Sequence, residues 1–418
     1  MKTLTFIFLV VLSSITGLCQ DARLTMNQKI QDFDSLYYTL SNNYLGFGIN
    51  KRLFGVDWIS NYSKYKAKVE AANTDYEFLL VINEILNDLN SGHIDLMPSV
   101  YYDYFKSHYS KNDKYTPYLK QMTKNGAQNK ILYWIPMIQK LYGIEDALIS
   151  NNHNENNDSI SVEQTTSHNS SNCTLIEIPK RSLCVLKIKS FDTENLKSDS
   201  LVLLALISKI KKYNKLIIDI QGNSGGDSDY FTNIIVPMLS KKEIDFEFII
   251  AHKNTPFIQS FKPHYFSNKS SLPPSLPNLP IELKDGSVDF TKSKITIKPH
   301  KDNIHYKGEI FLLVDRDVFS SADMFAAFCQ YTKFATVAGE VTAGEGIGDD
   351  PILYTLPNSG LICRFSAGMG LNADGSCNEE TKTIPDKIIH GENPDERLKK
   401  LIENISFSKT TRLIKKKT

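Results

Sequence analysis

The chain has 418 residues, of which 41% are hydrophobic and 23% charged, so it is long enough for two domains and a substantial core. Its 48 basic residues nearly balance its 47 acidic ones, and a formal net charge of +1 excludes the electrostatic footprint of a nucleic-acid binder. The basic "RLIKKKT" at the C-terminus reads as a short solvated tail.

In chain order, "MKTLTFIFLVVLSSITGLCQ" comes first, with one basic residue at Lys2, an apolar run from Leu4 to Leu12 and small or polar residues after it. That is the layout of a secretory signal peptide, too short for a comfortable membrane span. Cleavage near Cys19 or Gln20 gives a secreted or periplasmic protein with no stable membrane insertion. A lipid anchor on Cys19 is disfavoured, because the bulky Leu18 stands where a lipobox has a small residue. Five cysteines then remain: Cys173, Cys184, Cys329, Cys363 and Cys377. None lies in a C-x-x-C pair, so zinc and thioredoxin-type readings fail, and one unassigned disulfide is open.

From Asp32 to Leu89 the periodicity is helical. In "TDYEFLLVINEILNDL", Thr74 and Glu77 form a capping box, and Leu79, Ile82, Ile85, Leu86 and Leu89 fall on one face. Gly92 is the expected stop, and "HIDLMP" then alternates as a short strand. Residues 99–148 are rich in tyrosine and lysine without a clear period. Residues 150–172 are polar and of low complexity, which predicts a linker. From Cys173 onward strands and helices alternate: "LCVLKIKSF", "SLVLLALISKIKKY", "KLIIDI", "DYFTNIIVPML", "EIFLLVD", "SADMFAAFCQY" and "FATVAGE". This predicts an α/β sheet with covering helices. Residues 240–306, with "SLPPSLPNLP", read as a surface insertion. The expected organisation is a signal peptide (1–19), an N-terminal helical region ending at a histidine motif (20–98) and a variable region with the linker (99–172). An α/β domain (173–404) and a basic tail (405–418) follow.

Three clusters carry chemistry. "LNDLNSGHIDL" places His93 at a helix–strand junction. "IDIQGNSGGDS" contains Gly222-Asn223-Ser224-Gly225-Gly226, which matches the G-x-S-x-G nucleophile-elbow pattern at Ser224. "LLVDRDVFSSADMFAAF" puts Ser320 and Ser321 at the start of a helix, where the macrodipole and free N–H groups favour a developing oxyanion. An isolated Ser-Ser before a helix is by default only an N-cap.

In this order and spacing the clusters resemble the tail-specific or C-terminal processing protease family of serine peptidases, which includes the tricorn core protease. The resemblance runs from about Asp32 to about Asn404, with "LPNSGL" and "TIPDKII" in the places of the family's late strands. It implies a crotonase-like α/β catalytic domain, a peptide or protein substrate and no cofactor or metal. The family's nucleophile precedes an acidic residue by three, as Ser320 precedes Asp323. Its oxyanion hole implies the N–H of Gly225 or Gly226 and that of Ser321, which makes Ser224 a permissive turn residue. The best-known members use a lysine in "G-E-x-T-x-G-K" as the base. Here Gly339 to Glu345 reads G-E-V-T-A-G-E, and a carboxylate with a pKa of about 4 is a poor base for a serine hydroxyl. The tricorn-type branch uses a histidine, matched by His93, with a glutamate orienting it, matched by Glu379 or its neighbour Glu380. Glu345, Asp349 and Asp350 in "GEGIGDDP" are candidate contacts for a positively charged substrate. No GLGF-type loop marks a PDZ domain. The alternatives are an inactive ligand- or peptide-binding module of the same fold, as the retinoid-binding repeats exemplify, and an esterase using Ser224.

Overall fold

The computed structural model describes residues 23–98, 101–143, 172–267, 269–270 and 275–414, with side chains through Ile405. The expected signal peptide, Cys19 and nearly all of the polar run 150–172 lie outside the described residues. In chain order the strands are β1 Asp95–Leu96, β2 Cys173–Ile178, β3 Leu183–Ile188, β4 Lys215–Asp219, β5 Ile244–Lys253, β6 Lys269–Ser270 and β7 Val288–Ile297. They continue with β8 Glu309–Val314, β9 Thr336–Gly339, β10 Ile352–Thr355, β11 Ile362–Phe365, β12 Gly368–Leu371 and β13 Lys387–Ile388. The chain forms two compact units, Met1–Asp158 with His252–Ser267 and Asp349–Gly368, and Ser159–Ala251 with Asn268–Gly348 and Met369–Thr418.

The first unit is mainly helical. Thr74 and Glu77 close the capping box of the helix Asp75–Asn87, and Leu79, Ile82, Ile85, Leu86 and Leu89 are buried on the face their spacing defines. Trp58 stacks on Tyr37 at 4.9 Å and donates Nε1 to the Ile85 carbonyl at 2.8 Å, which joins three helical segments. The left-handed residue after the 75–87 helix is Asn90 (φ 51°) rather than Gly92. Asparagine tolerates that conformation, so the stop comes earlier than the glycine suggests. Residues 101–143 are described as helices at Tyr102–Tyr109, Thr116–Thr123 and Ala127–Tyr142. Their core is built from tyrosines: Tyr109 and Tyr118 are buried with ring centroids 4.7 Å apart. Each buried hydroxyl needs a partner, as Tyr102 finds in the Met122 carbonyl at 2.8 Å, and so amphipathicity counted in aliphatic residues misses these helices.

The linear 173–404 domain needs one correction, because residues 252–267 and 349–368 within it belong to the first unit. The reason is strand pairing. β11 pairs antiparallel with both β1 and β10, in the order β1-β11-β10. The buried Asp32 carboxylate then accepts from Asn358 N and Ser359 N, both at 2.7 Å, in the β10–β11 turn.

The second unit holds a six-stranded sheet ordered β13-β9-β8-β4-β3-β2, parallel except where β2 meets β3. β4 is buried along its whole length, as a central parallel strand should be. One face packs Leu183, Val185, Ile217, Phe311 and Leu313 against Leu398, Leu401 and Ile405 of the helix Pro394–Ile414. The expected tail from 405 therefore starts inside a helix that belongs to the core. The expected surface insertion 240–306 also contains more than a loop. β5 and β7 form a second sheet, ordered β12-β5-β7-β6, and bury Phe246, Phe248, Ile250, Val288 and Phe290. Pro277 and Pro280, the described prolines of the run, lie in the connection between β6 and β7. All five described cysteines are buried. Among the described residues no helix is long and apolar enough to cross a membrane.

Candidate active site

Three parallel strands of the second unit, β4, β8 and β9, deliver loops from their carboxyl ends, the edge where open α/β sheets place ligands. The loop after β8 reaches Ser320, whose backbone sits at φ 54° and ψ −128° just before the helix Ser321–Thr332. A non-glycine residue there stores roughly 1–3 kcal/mol of strain, and a sharp strand-to-helix turn of this kind lifts a side chain out of the helix start. The strain is held by neighbouring loops. Ser320 N donates to the Gly344 carbonyl at 3.2 Å, and Phe319 N to the Asn223 carbonyl at 3.2 Å. Although Ser320 occupies the N-cap position, its side chain makes no capping hydrogen bond.

The loop after β4 brings its glycines against this turn. A Cβ on Gly225 would fall 2.7 Å from the Phe319 carbonyl oxygen, 2.9 Å from the Ser320 Cβ and 3.0 Å from the Ser321 nitrogen. Gly225 also has φ +95°, so a side chain is excluded on both counts. Its N–H is taken by the Asn223 Oδ1 at 2.9 Å. Gly226, at φ +130°, forms a parallel bridge with Phe191, and a Cβ there would meet the Phe191 carbonyl oxygen at 2.1 Å. Among the described residues the N–H groups of Gly226 and Ser321 donate to no carbonyl or side chain. Of the two glycines, Gly226 is thus the one with a donor to offer. Ser224 lies exposed in the same turn, outside the positive-φ region, and the next helical turn begins only at Tyr230 as a π-helix. The G-x-S-x-G match therefore does not fold into an elbow. The elbow conformation occurs at Ser320 instead.

The loop after β9 completes the group through Asp323, which is fully buried. Its Oδ1 accepts from Thr342 Oγ1 at 2.6 Å and its Oδ2 from Gly346 N at 3.1 Å. Burial pushes this carboxyl above its ordinary range, opposed by the hydrogen bonds from Thr342 and Gly346, and Thr383 N in turn donates to Thr342 Oγ1 at 3.0 Å. Gly346 N also reaches the Asn378 Oδ1 at 2.8 Å, and Ile347 N reaches it at 3.2 Å. These bonds pin the loop bearing Glu345 (φ 58°) to the short helix Asn378–Thr381, which carries Glu379 and Glu380, both half-buried. Ser320, Ser321, Gly225, Gly226, Glu345 and Glu379 thus sit on segments joined in one hydrogen-bonded cluster. Sequence reasoning named Asp323 only as a register mark, and it missed Thr383 and Asn378. The threonine of the G-E-x-T run was the available signal.

The remaining expected residues lie in the first unit. His93 is half-buried in the turn between the 75–87 helix and β1, with its N–H 3.4 Å from Ser91 Oγ. Asp349 pairs with His264 at 2.9 Å. Burial would raise its pKa, but the His264 hydrogen bond, the Lys262 charge and a bond from Tyr265 bring it down to about 2. Asp350 accepts from the Tyr115 hydroxyl at 3.0 Å. Both aspartates thus have partners in their own unit.

A family model described as Peptidase family S41 matches residues 182–389, and one described as Tricorn protease C1 domain matches residues 27–87. No curated protein matches the sequence. Among solved structures, a putative peptidase from Parabacteroides merdae ATCC 43184 is similar at 17% identity and a TM-score of 0.55, over 91% of this chain and 97% of that one. Mature CPAF is similar at 13% identity and a TM-score of 0.58, over 91% and 96% of the two chains. CPAF complexed with lactacystin gives 13% and 0.58, over 91% and 98%. At these identities the likeness is one of fold.

Proposed function

This chain belongs to peptidase family S41 and is a serine peptidase, and from that premise we propose that Ser320 is its nucleophile, His93 its general base and Glu379 the acid that orients the histidine. Ser320 Oγ attacks the scissile carbonyl of a peptide while His93 accepts its proton. The carbonyl oxygen turns into an oxyanion, received by the N–H groups of Gly226 and Ser321. Collapse expels the amine, which takes the proton back from His93, and water then hydrolyses the acyl-enzyme by the same steps. Glu345, in the place of the family's lysine, takes no part as a base. The proposed preference for a positively charged substrate rests on Glu345 together with Asp349 and Asp350, the last two already holding His264 and Tyr115 as partners.

The observation that carries the reading is the strained Ser320 backbone with the Ser321 nitrogen and a forced glycine packed against it. Donors fixed before the reaction stabilise charge that appears only in the transition state, an effect of roughly 3–4 kcal/mol per donor. A fluorophosphonate probe followed by peptide mapping tests this directly. Label on Ser320, lost in Ser320→Ala and kept in Ser224→Ala, is expected. Label on Ser224 would sink the assignment. Export of the protein with loss of its first 19 or 20 residues is part of the same proposal, motivated by the apolar run after Lys2. Intact mass of the exported protein decides it, and a retained Met1 would count against it.

A further inference from the structure

His93 hangs between two anchors within the first unit. On the N-terminal side, the Asp88 carboxylate accepts from the Tyr65 hydroxyl at 2.8 Å and the Asp88 carbonyl from Asn50 Nδ2 at 2.8 Å. Asn90 donates Nδ2 to the Asn50 Oδ1 at 3.0 Å. On the C-terminal side the chain enters β1, which is only two residues long. A strand that short supplies few ladder bonds, so its register needs support from side chains. Asp95 lies directly opposite Arg364 of β11. Arg364 donates Nε to Asp95 Oδ1 at 2.9 Å and Nη2 to Asp95 Oδ2 at 2.5 Å, a two-pronged fork on one carboxylate. The guanidinium also lies 5.3 Å over the Phe105 ring. The two side chains are only 19% and 25% exposed, so water screens the pair weakly.

We infer that Arg364 is a positioning residue for the peptidase reaction, fixing the backbone two residues after His93 through its fork on Asp95. The inference rests on the reading of His93 as the base. It follows from the geometry of the turn: the fork closes the ladder at the end nearest the histidine. Loss of one prong lets Asp95 rotate and carries the imbalance back to the turn. A misplacement of about 1 Å in a reacting group costs up to 100-fold in rate. Lysine keeps the charge but, as a compact point donor, cannot reproduce the planar fork.

The test uses Arg364→Lys and Asp95→Asn, each in the wild-type and in the His93→Ala background. Arg364→Lys keeps a cation opposite Asp95, whereas Asp95→Asn leaves the Arg364 guanidinium facing a neutral amide, so the melting temperature is followed to separate lost stability from lost rate. Three quantities are measured: the rate of fluorophosphonate labelling at Ser320, kcat and KM on a peptide substrate, and the melting temperature. In the wild-type background labelling and kcat should fall about 10-fold, with KM within a factor of two. In the His93→Ala background the same substitutions should change the residual labelling rate by less than a factor of two, because the group they position is gone. An equal 10-fold loss in both backgrounds would assign Arg364 to general structure and overturn the inference. So would wild-type rates in both single variants. A His93→Ala enzyme as fast as wild type would defeat the base assignment by itself, before Arg364 is changed, and the inference would fall with it while Ser320 stood.

Discussion

Asp323 offers the sharpest test of how the candidate site is held together. Replacing it with alanine removes the acceptor for Thr342 Oγ1 and Gly346 N and empties a fully buried position. Each orphaned buried donor costs about 1–3 kcal/mol, but both have second partners here. Gly346 N still reaches the Asn378 Oδ1 at 2.8 Å, and Thr342 Oγ1 has the Thr383 carbonyl at 3.4 Å. The low end of the range therefore applies twice, and the void adds about 1 kcal/mol, for a total near 3 kcal/mol. Asp323→Asn should cost about 1 kcal/mol, because its oxygen can face Gly346 N while its amide donates to Thr342. Burial holds the folded pKa of Asp323 above the unfolded one, so the folded state binds its proton more tightly. Stability from this group is then present below about pH 4, the unfolded value, and lost as pH rises through the folded value. The stability gap between wild type and Asp323→Asn should narrow over that window. Tryptophan fluorescence is the wrong probe, since Trp58 and Trp134, the only two, lie in the first unit. Urea titration followed by far-UV circular dichroism reports both units. If Asp323→Ala unfolds within 0.5 kcal/mol of wild type, or Asp323→Asn is the worse of the two, the network does not carry the load described (a threshold of about the usual scatter).

Gly225→Ala should cut Ser320 labelling by about 100-fold or more, because a Cβ 2.7 Å from the Phe319 carbonyl oxygen must displace the oxyanion turn; unchanged labelling would show that the turn is loose. His93→Ala should lower kcat by about 1,000-fold or more with an unchanged circular dichroism spectrum, and a loss under 10-fold would remove it as base. Asp349, held at about pKa 2, contributes stability that is present above about pH 4 and lost as pH falls through 2. With its side chain 29% exposed and His264 56% exposed, solvent screening limits the loss to about 1 kcal/mol. Asp349→Asn should abolish that acid limb in a pH series of urea melts, and an identical limb in the variant would contradict it.

The sequence made the parallel strands and the capped 75–87 helix legible because each obeys a local rule: continuous apolar runs for buried strands, and a Thr-x-x-Glu box before a 3.6-residue period. It left the tyrosine helices and β5 and β7 obscure. In the first case a polar ring does an aliphatic residue's work, and in the second a proline cluster drew attention from the alternation beside it. The glycine turn is the most instructive failure of pattern. G-x-S-x-G encodes glycines where backbones must approach closely, and that physical demand is real here: Gly225 and Gly226 are each forced, one by the Ser320 turn and one by Phe191. What the pattern cannot encode is which serine stands on the other side of the contact. Ser224 shares the loop with the glycines and is exposed, whereas Ser320 lies 96 residues on, in the turn after β8, and carries the strained φ of 54°. Close approach is a property of two segments, so a motif read on one of them marks the glycine loop and leaves the segment packed against it to the fold.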